Sequence, residues 1–446
     1  MNASSSSLGV RSGEGAYAWI VAVLLATAYA VAFIDRQVLN LLVDPIKKSL
    51  VFSDTQFSLL QGLAFVAAYA AMGVVFGRLA DQRNRRNLLV AGTVIWCAFT
   101  VGCGLATGFW SFFGARAGIG AAEACLLPAS WSLLSDYFSR ERLPRAMSLF
   151  LMGPFVGGGL ALIFGGLLFR HLVASAPGGL FAGLEAWRLT FFAVGAPGVI
   201  IALIVWLAVR EPPRLGEAAA PAQSYTLREG VAYIVGERAF YGSFFGGLSL
   251  LIVGLFALPA WTPAFLMRAH GGSPASVGLQ YGTATLIAGC SGVLLGPWIA
   301  RLLARRYPLD APVRTAMFAG LCAAPACLFL PFAPTYWSAL LASATASCCL
   351  NFTLPVAAAA LQVSTPNRLR GLMTSTYAFV LTATGMGIAP TLIALVTDRV
   401  FGDPARVGAA LGWITGLSAL ASLPLLAIAA RHYAARLQAA RGVTES

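Results

Sequence analysis

The sequence predicts an all-α membrane protein with twelve transmembrane helices in two pseudo-symmetric six-helix bundles. Three observations carry that expectation. First, apolar runs of about 18 residues or more, each able to cross a bilayer, recur along the chain. The whole is 58% hydrophobic and only 11% charged, with a mean hydropathy of +0.78. Second, the polar intervals alternate in charge: on a twelve-span topology 21 of the 30 Lys and Arg fall on one side and seven on the other, and Arg36 and Arg116 lie within spans. That is the positive-inside bias, and it places both termini in the cytoplasm. Third, the two halves repeat. Ser53 precedes Gly77 and Arg85-Arg86 at nearly the intervals by which Ser273 precedes Gly296 and Arg305-Arg306. Leu127-Pro128 and Leu354-Pro355 likewise stand at similar distances before Arg145 and Arg370. Such internal symmetry marks transporters that rock about a central site.

In chain order, residues 1–15 are Ser/Gly-rich and read as a flexible cytoplasmic tail. The N-terminal bundle occupies 16–209. Its first run, about 17–42, is too long for a signal peptide and is kept as a span. The second covers about 54–79, with Ser53 or Asp54 as its cap, and four more follow near 87–106, 110–138, 145–169 and 187–209. Residues 210–237, with Glu211-Pro212-Pro213-Arg214, form the first long polar interval and read as a cytoplasmic linker. The C-terminal bundle, 238–430, holds spans near 238–267, 276–301, 313–332, 335–363, 370–396 and 407–430. An Arg-bearing cytoplasmic tail, 431–446, ends the chain.

Charge inside the hydrocarbon is costly and points to function. Arg116 and Glu123 share one face of the fourth span, about 10 Å apart along its axis, too far for an easy bridge. Asp35 and Arg36 are neighbours on the first span and cannot pair with each other. Opposing the two spans suggests Asp35 near Arg116 and Arg36 near Glu123. Side chains lean towards their own N-termini, so in antiparallel spans Arg36 and Glu123 converge. Counting back from Ser53 and Ser273, Asp35-Arg36 corresponds to Leu255-Phe256, and the Glu123 region to Asn351. Coupling chemistry therefore belongs to the first half, with the proton on Glu123 and with Asp35, Arg36 and Arg116 completing the proton-coupling site. Tyr29, Phe65, Tyr69, Trp131, Phe155, Asn351 and Tyr377 are candidates for the substrate cavity, as are Trp261 and Tyr281.

Other chemistries find little support. The eight cysteines all fall in predicted helices without the paired spacing of a metal site. The three histidines sit in loops or the tail, so no metal and no cofactor is expected. The charge of +13 follows from the topology and calls for no nucleic acid. No phosphate-cradling loop suggests an ATP-driven pump, and no Ser/His/Asp arrangement at membrane depth suggests an enzyme.

Between the second and third spans stands Gly77-Arg78-Leu79-Ala80-Asp81-Gln82-Arg83-Asn84-Arg85-Arg86. It resembles the major facilitator signature G-x-x-x-D-(R/K)-x-G-(R/K)-(R/K). Gly77, Asp81, Arg85 and Arg86 match it; Gln82 and Asn84 depart. The resemblance implies that superfamily's fold and a cytoplasmic latch at the matching residues. Finer resemblance is to the Spinster family, through Phe33-Ile34-Asp35-Arg36, Ser53-Asp54-Thr55-Gln56 to Gly62, Gly92 to Trp96, and Arg116 to Ala124, the last with one residue more than the family pattern before its acid. That likeness implies proton-linked export or exchange of an amphipathic lipid, of the sphingosine phosphate or lysophospholipid type, with the charges of the first and fourth spans in the coupling site. The chain itself reads as a monomer among membrane lipids in a bacterial inner membrane. A drug-efflux antiporter and an uncoupled facilitator or scramblase remain alternatives. Gly153-Pro154-Phe155-Val156-Gly157-Gly158 resembles an antiporter motif and reads equally as glycine-rich packing.

Overall fold

The computed structural model describes residues 15–139, 142–175, 183–213, 227–365 and 369–444. Among them no strand occurs, and twelve helical spans are long and apolar enough to cross a membrane. Spans 1 to 6 are Ala16–Leu41, Asp54–Gly73, Arg85–Gly104, Phe109–Tyr137, Arg145–Ser175 and Ala186–Ala208. Spans 7 to 12 are Arg238–His270, Pro274–Ala304, Ala311–Phe332, Tyr336–Leu361, Thr376–Phe401 and Pro404–Gln438. Large apolar side chains such as Phe164, Leu207, Leu294, Trp298 and Phe379 are more than half exposed. In water that surface would be a liability; in a bilayer, acyl chains cover it.

The packing repeats as the sequence does. Span 2 packs on 4, 3 on 4 and 6, and 1 on 6; in the second half span 8 packs on 10, 9 on 10 and 12, and 7 on 12. The seam between halves obeys the same operation, because span 5 packs on 8 and span 2 on 11. Glycines bring backbones together along it and within the first half. A Cβ on Gly159 or Gly166 would run into span 8, and one on Gly157 would sit 2.1 Å from the Ala30 carbonyl of span 1. The glycines of 153–158 therefore serve as packing surface in this arrangement.

Several spans are broken where a proline removes a helical donor. Span 4 divides into Phe109–Glu123 and Leu126–Tyr137, because Pro128 cannot bond the Ala124 carbonyl. Span 10 divides into Tyr336–Asn351 and Thr353–Ser364, with Pro355 in the matching role. The repeated Leu-Pro pairs thus mark equivalent breaks. Span 11 carries a π-helical segment, Leu381–Ile388, just before Pro390. Span 2 breaks at Gly62, between Asp54–Gln61 and Leu63–Gln82.

Helix extends into two of the expected polar segments. Of the expected tail, residues 431–444 continue the helix of span 12, Val407–Thr444, since Ala, Leu, Gln and Arg sustain it without a breaker. Within the expected linker 210–237 lies a helix, Leu227–Gly236. Arg436 of the long last helix holds it by donating to the Tyr233 hydroxyl at 2.6 Å and pairs with Glu237 at 2.8 Å. Residues 1–14, with most of the expected N-terminal tail, lie outside the described residues.

Candidate functional site

Span 1 presents Asp35 and Arg36 to the first half's interior, and span 4 presents Arg116 and Glu123. Arg116 and Glu123 are each 1% exposed and Asp35 3%. Arg36 Nη2 donates to Glu123 Oε2 in an ion pair. The expected partnership of Asp35 with Arg116 does not form. Asp35 Oδ2 instead accepts from Thr100 Oγ1 of span 3 at 3.1 Å. Arg116 Nε donates to the Leu60 carbonyl at 3.1 Å. That carbonyl lies at the end of Asp54–Gln61, where the break at Gly62 interrupts the helical ladder.

Aromatic rings wall the cluster. The Arg36 guanidinium lies 4.1 Å from the Phe65 ring centroid and 4.5 Å from that of Phe33. Phe65 stacks on Tyr69 at 5.5 Å. Phe33 meets Tyr29 edge-on at 5.5 Å, and Tyr29 stacks on Phe150 at 4.8 Å. A continuous aromatic ladder therefore runs from span 5 through span 1 and Arg36 to span 2, favouring a cation at its centre. Tyr29, Phe65 and Tyr69 come together here. Phe33 and Phe150 were not singled out from the sequence; the spacing of Phe33 from Tyr29 and Arg36, one helical turn each way, was the available signal.

The remaining cavity candidates are dispersed. Phe155 faces Gly289 of span 8, where an added Cβ would lie 3.1 Å from its ring. Asn351 is buried and spends its amide on the Ser347 carbonyl of its own helix at 2.7 Å. Trp131 is 41% exposed, and Tyr377 is half-buried. Trp261 is fully buried, donating to the Pro390 carbonyl at 2.9 Å, and Tyr281 is buried beside it in the second half.

The cluster keeps spare bonding capacity. Asp35 Oδ1, Glu123 Oε1, Arg36 Nε and Arg116 Nη1 are buried without a protein hydrogen-bond partner among the described residues. Buried polar groups are normally satisfied, so the two carboxylate oxygens have room to accept a proton and the two guanidinium N–H groups to take new acceptors.

At the other candidate site, Arg85 is 1% exposed and ties three elements together. It pairs with Asp136 of span 4 and with Glu211 beyond span 6, the latter at 2.7 Å. It also donates to Ser132 Oγ at 3.0 Å and to the Pro212 carbonyl at 3.1 Å. The Arg86 backbone N–H donates to Glu211 at 3.0 Å. The Asp81 side chain lies outside the described residues. A Cβ on Gly77 would meet nothing within 4 Å. The close contacts of span 2 lie further along, at Gly62 against the Met386 carbonyl.

Comparisons with known proteins agree with this architecture. The family model described as "Major Facilitator Superfamily" matches residues 25–390. An "MFS-type efflux pump" of Mycolicibacterium smegmatis is 29% identical over 65% of this chain. "Protein spinster homolog 1" of Homo sapiens is 27% identical over 73% of it. These alignments span 64% and 61% of the relatives' own lengths. Among solved structures, an inward-facing, unoccupied bacterial homologue of the human lysosomal transporter Spinster superposes with a TM-score of 0.78 at 27% identity. It covers 95% of this chain and 98% of the other. A D-xylose–proton symporter shares the fold with a TM-score of 0.63 at 17% identity. The chain belongs to the major facilitator superfamily of membrane transporters, within which it resembles the Spinster proteins.

Proposed function

We propose that the protein is a proton-coupled secondary transporter of an amphipathic, lipid-like small molecule, working by alternating access. The observation that carries this reading is the buried Arg36–Glu123 pair, set among aromatic rings and beside unpaired donors and acceptors. While Glu123 is ionised it occupies Arg36. A proton on Glu123 neutralises the carboxylate and frees Arg36 for an anionic headgroup or for Asp35. A ligand moves two states apart only by its differential affinity for them, so this exchange of partners is the coupling. The second half offers apolar and neutral lining for the substrate's chain. On the terminus side, Gly77, Asp81, Arg85 and Arg86 act as a latch when that side closes. Both termini are cytoplasmic, the membrane is a bacterial inner membrane, and the monomer needs no cofactor.

Glu123→Gln tests the reading because it mimics the protonated form at the same shape. In proteoliposomes it should still exchange substrate but lose uphill, proton-driven accumulation. Undiminished accumulation with unchanged pH dependence would move the proton site to Asp35. Substrate class is tested separately: charge-matched ligands of increasing chain length should gain up to about 0.8 kcal/mol per buried CH₂. Affinity that ignores chain length excludes a lipid-like cargo. One observation favours a second reading: the similarity to an efflux pump fits drug extrusion by the same machinery.

A further inference from the structure

Span 7 carries Pro259 and Pro263 in an unbroken helix, Arg238–His270. Pro263 has no N–H, so the Pro259 carbonyl lacks its helical donor. A side chain from the other half supplies one: Asn40 Nδ2 of span 1 donates to that carbonyl at 3.2 Å. Asn40 also donates to Gln37 Oε1 at 2.7 Å and accepts from Gln61 Nε2 at 2.9 Å. Asn40 and Gln61 are buried at 9% and 8% exposure, so three amides form a polar layer across the seam.

A second layer lies further towards the side opposite the termini. Arg268, near the end of span 7, grips Asp54 at 2.7 and 2.9 Å and Asp44 at 2.8 Å. Lys47 also pairs with Asp54. Asp398 of span 11 accepts from the Thr55 N–H and hydroxyl, both at 2.6 Å. It thereby caps the first turn of span 2 from the opposite half, where helix N–H groups lack internal partners. The ionic layer closes the face; the amide layer lies between it and the buried charges.

The amides also adjoin the charge cluster along the chain. Gln37 follows Arg36, and Gln61 follows Leu60, whose carbonyl holds Arg116. We propose that the Gln37–Asn40–Gln61 layer, docked on the proline-freed carbonyl of Pro259, relays the state of the buried charges to this outer gate. The relay rests on the coupling role proposed for Glu123. When Arg36 leaves Glu123, the turn of span 1 that bears both Arg36 and Asn40 shifts. Asn40 then releases Pro259, and the ionic layer alone holds the face shut.

The test measures distances across that face in full-length protein in liposomes. Spin-labelled cysteines replace Lys48 and Trp337 in a background whose native cysteines are substituted. Asn40→Ala removes the donor; Pro263→Ala leaves every polar side chain in place but restores a helical N–H that competes for the Pro259 carbonyl. Each should raise the ratio of open to closed outer distances by about fivefold, the scale of one hydrogen bond. Together they should do no more than either alone, and Glu123→Gln should open the face in the parent but add nothing after Asn40→Ala. Additive opening by Asn40→Ala and Glu123→Gln would overturn the relay and leave the layer a passive seal, as would unchanged distances in both Asn40→Ala and Pro263→Ala. If Glu123→Gln leaves the parent's distances unchanged while Asn40→Ala opens them, the relay is overturned through the failure of the Glu123 coupling role, and the gate remains.

Discussion

Asp35 shows how one side chain's environment sets its importance. Its carboxylate accepts from the Thr100 Oγ1 side chain, and that hydroxyl also lies 3.0 Å from the Trp96 carbonyl. A single proton serves two acceptors, so the carboxylate is thinly supported. Thr100→Val keeps the shape and removes the donor, leaving a buried polar group short of a partner. It should cost about 1–3 kcal/mol, read as a lower thermal midpoint in detergent. In an Asp35→Asn background the same change should cost much less, since the charge it supports is gone; an equal cost in both would show that Thr100 serves only its own helix. The four buried charges were legible from sequence because no bilayer segment carries them idly. Their pairing was half legible. Lean direction brought Arg36 to Glu123, but the Leu60 carbonyl that takes Arg116 is exposed by a backbone break no residue type announces.

At the scale of the element, glycines and prolines decide how the spans meet. Gly62 sits where span 2 breaks and where span 11 is π-helical, and its missing Cβ would lie 2.1 Å from the Met386 carbonyl. Gly62→Ala should therefore push the two spans apart at a cost of about 1–3 kcal/mol. Spin labels should report a looser outer face, and unchanged stability would show that span 11 yields freely. Gly77→Ala should behave oppositely in this state. Nothing opposes the new methyl, and alanine gains up to about 1 kcal/mol over glycine inside a helix. If Gly77 is buried only when the terminus side closes, the substitution should also bias the protein towards the state seen here. A fall in stability instead would mean that Gly77 is already packed. Sequence located the twelve spans because apolar length is a local property. It also matched the Leu-Pro pairs of spans 4 and 10 as a repeat, without reading them as breaks. It missed the break at Gly62, since a lone glycine in an apolar run reads the same whether the helix bends there or continues.

For the whole molecule, the unit that moves is a half, and Arg85 helps make the first half rigid by joining spans 3 and 4 to the segment after span 6. Arg85→Met removes the buried cation that Asp136 and Glu211 share. It should destabilise the protein by about 3–5 kcal/mol, as for a broken buried pair, while leaving the outer spin-label distances of the surviving folded fraction unchanged. A shift in those distances without loss of stability would mean that Arg85 acts only as a latch between the halves and not as a tie within the first. The sequence by itself determined the solvent, the number of crossings, the twofold repeat and the placement of charge in the first half. These follow from hydropathy, the positive-inside bias and spacing, which are additive along the chain. Only the tertiary structure decided which side of the seam is shut and by what. Asn40 on Pro259, Arg268 on Asp44 and Asp54, and Asp398 on Thr55 join residues more than 200 positions apart. Such contacts exist only once the halves have docked, because each partner is an ordinary polar group until packing removes its water.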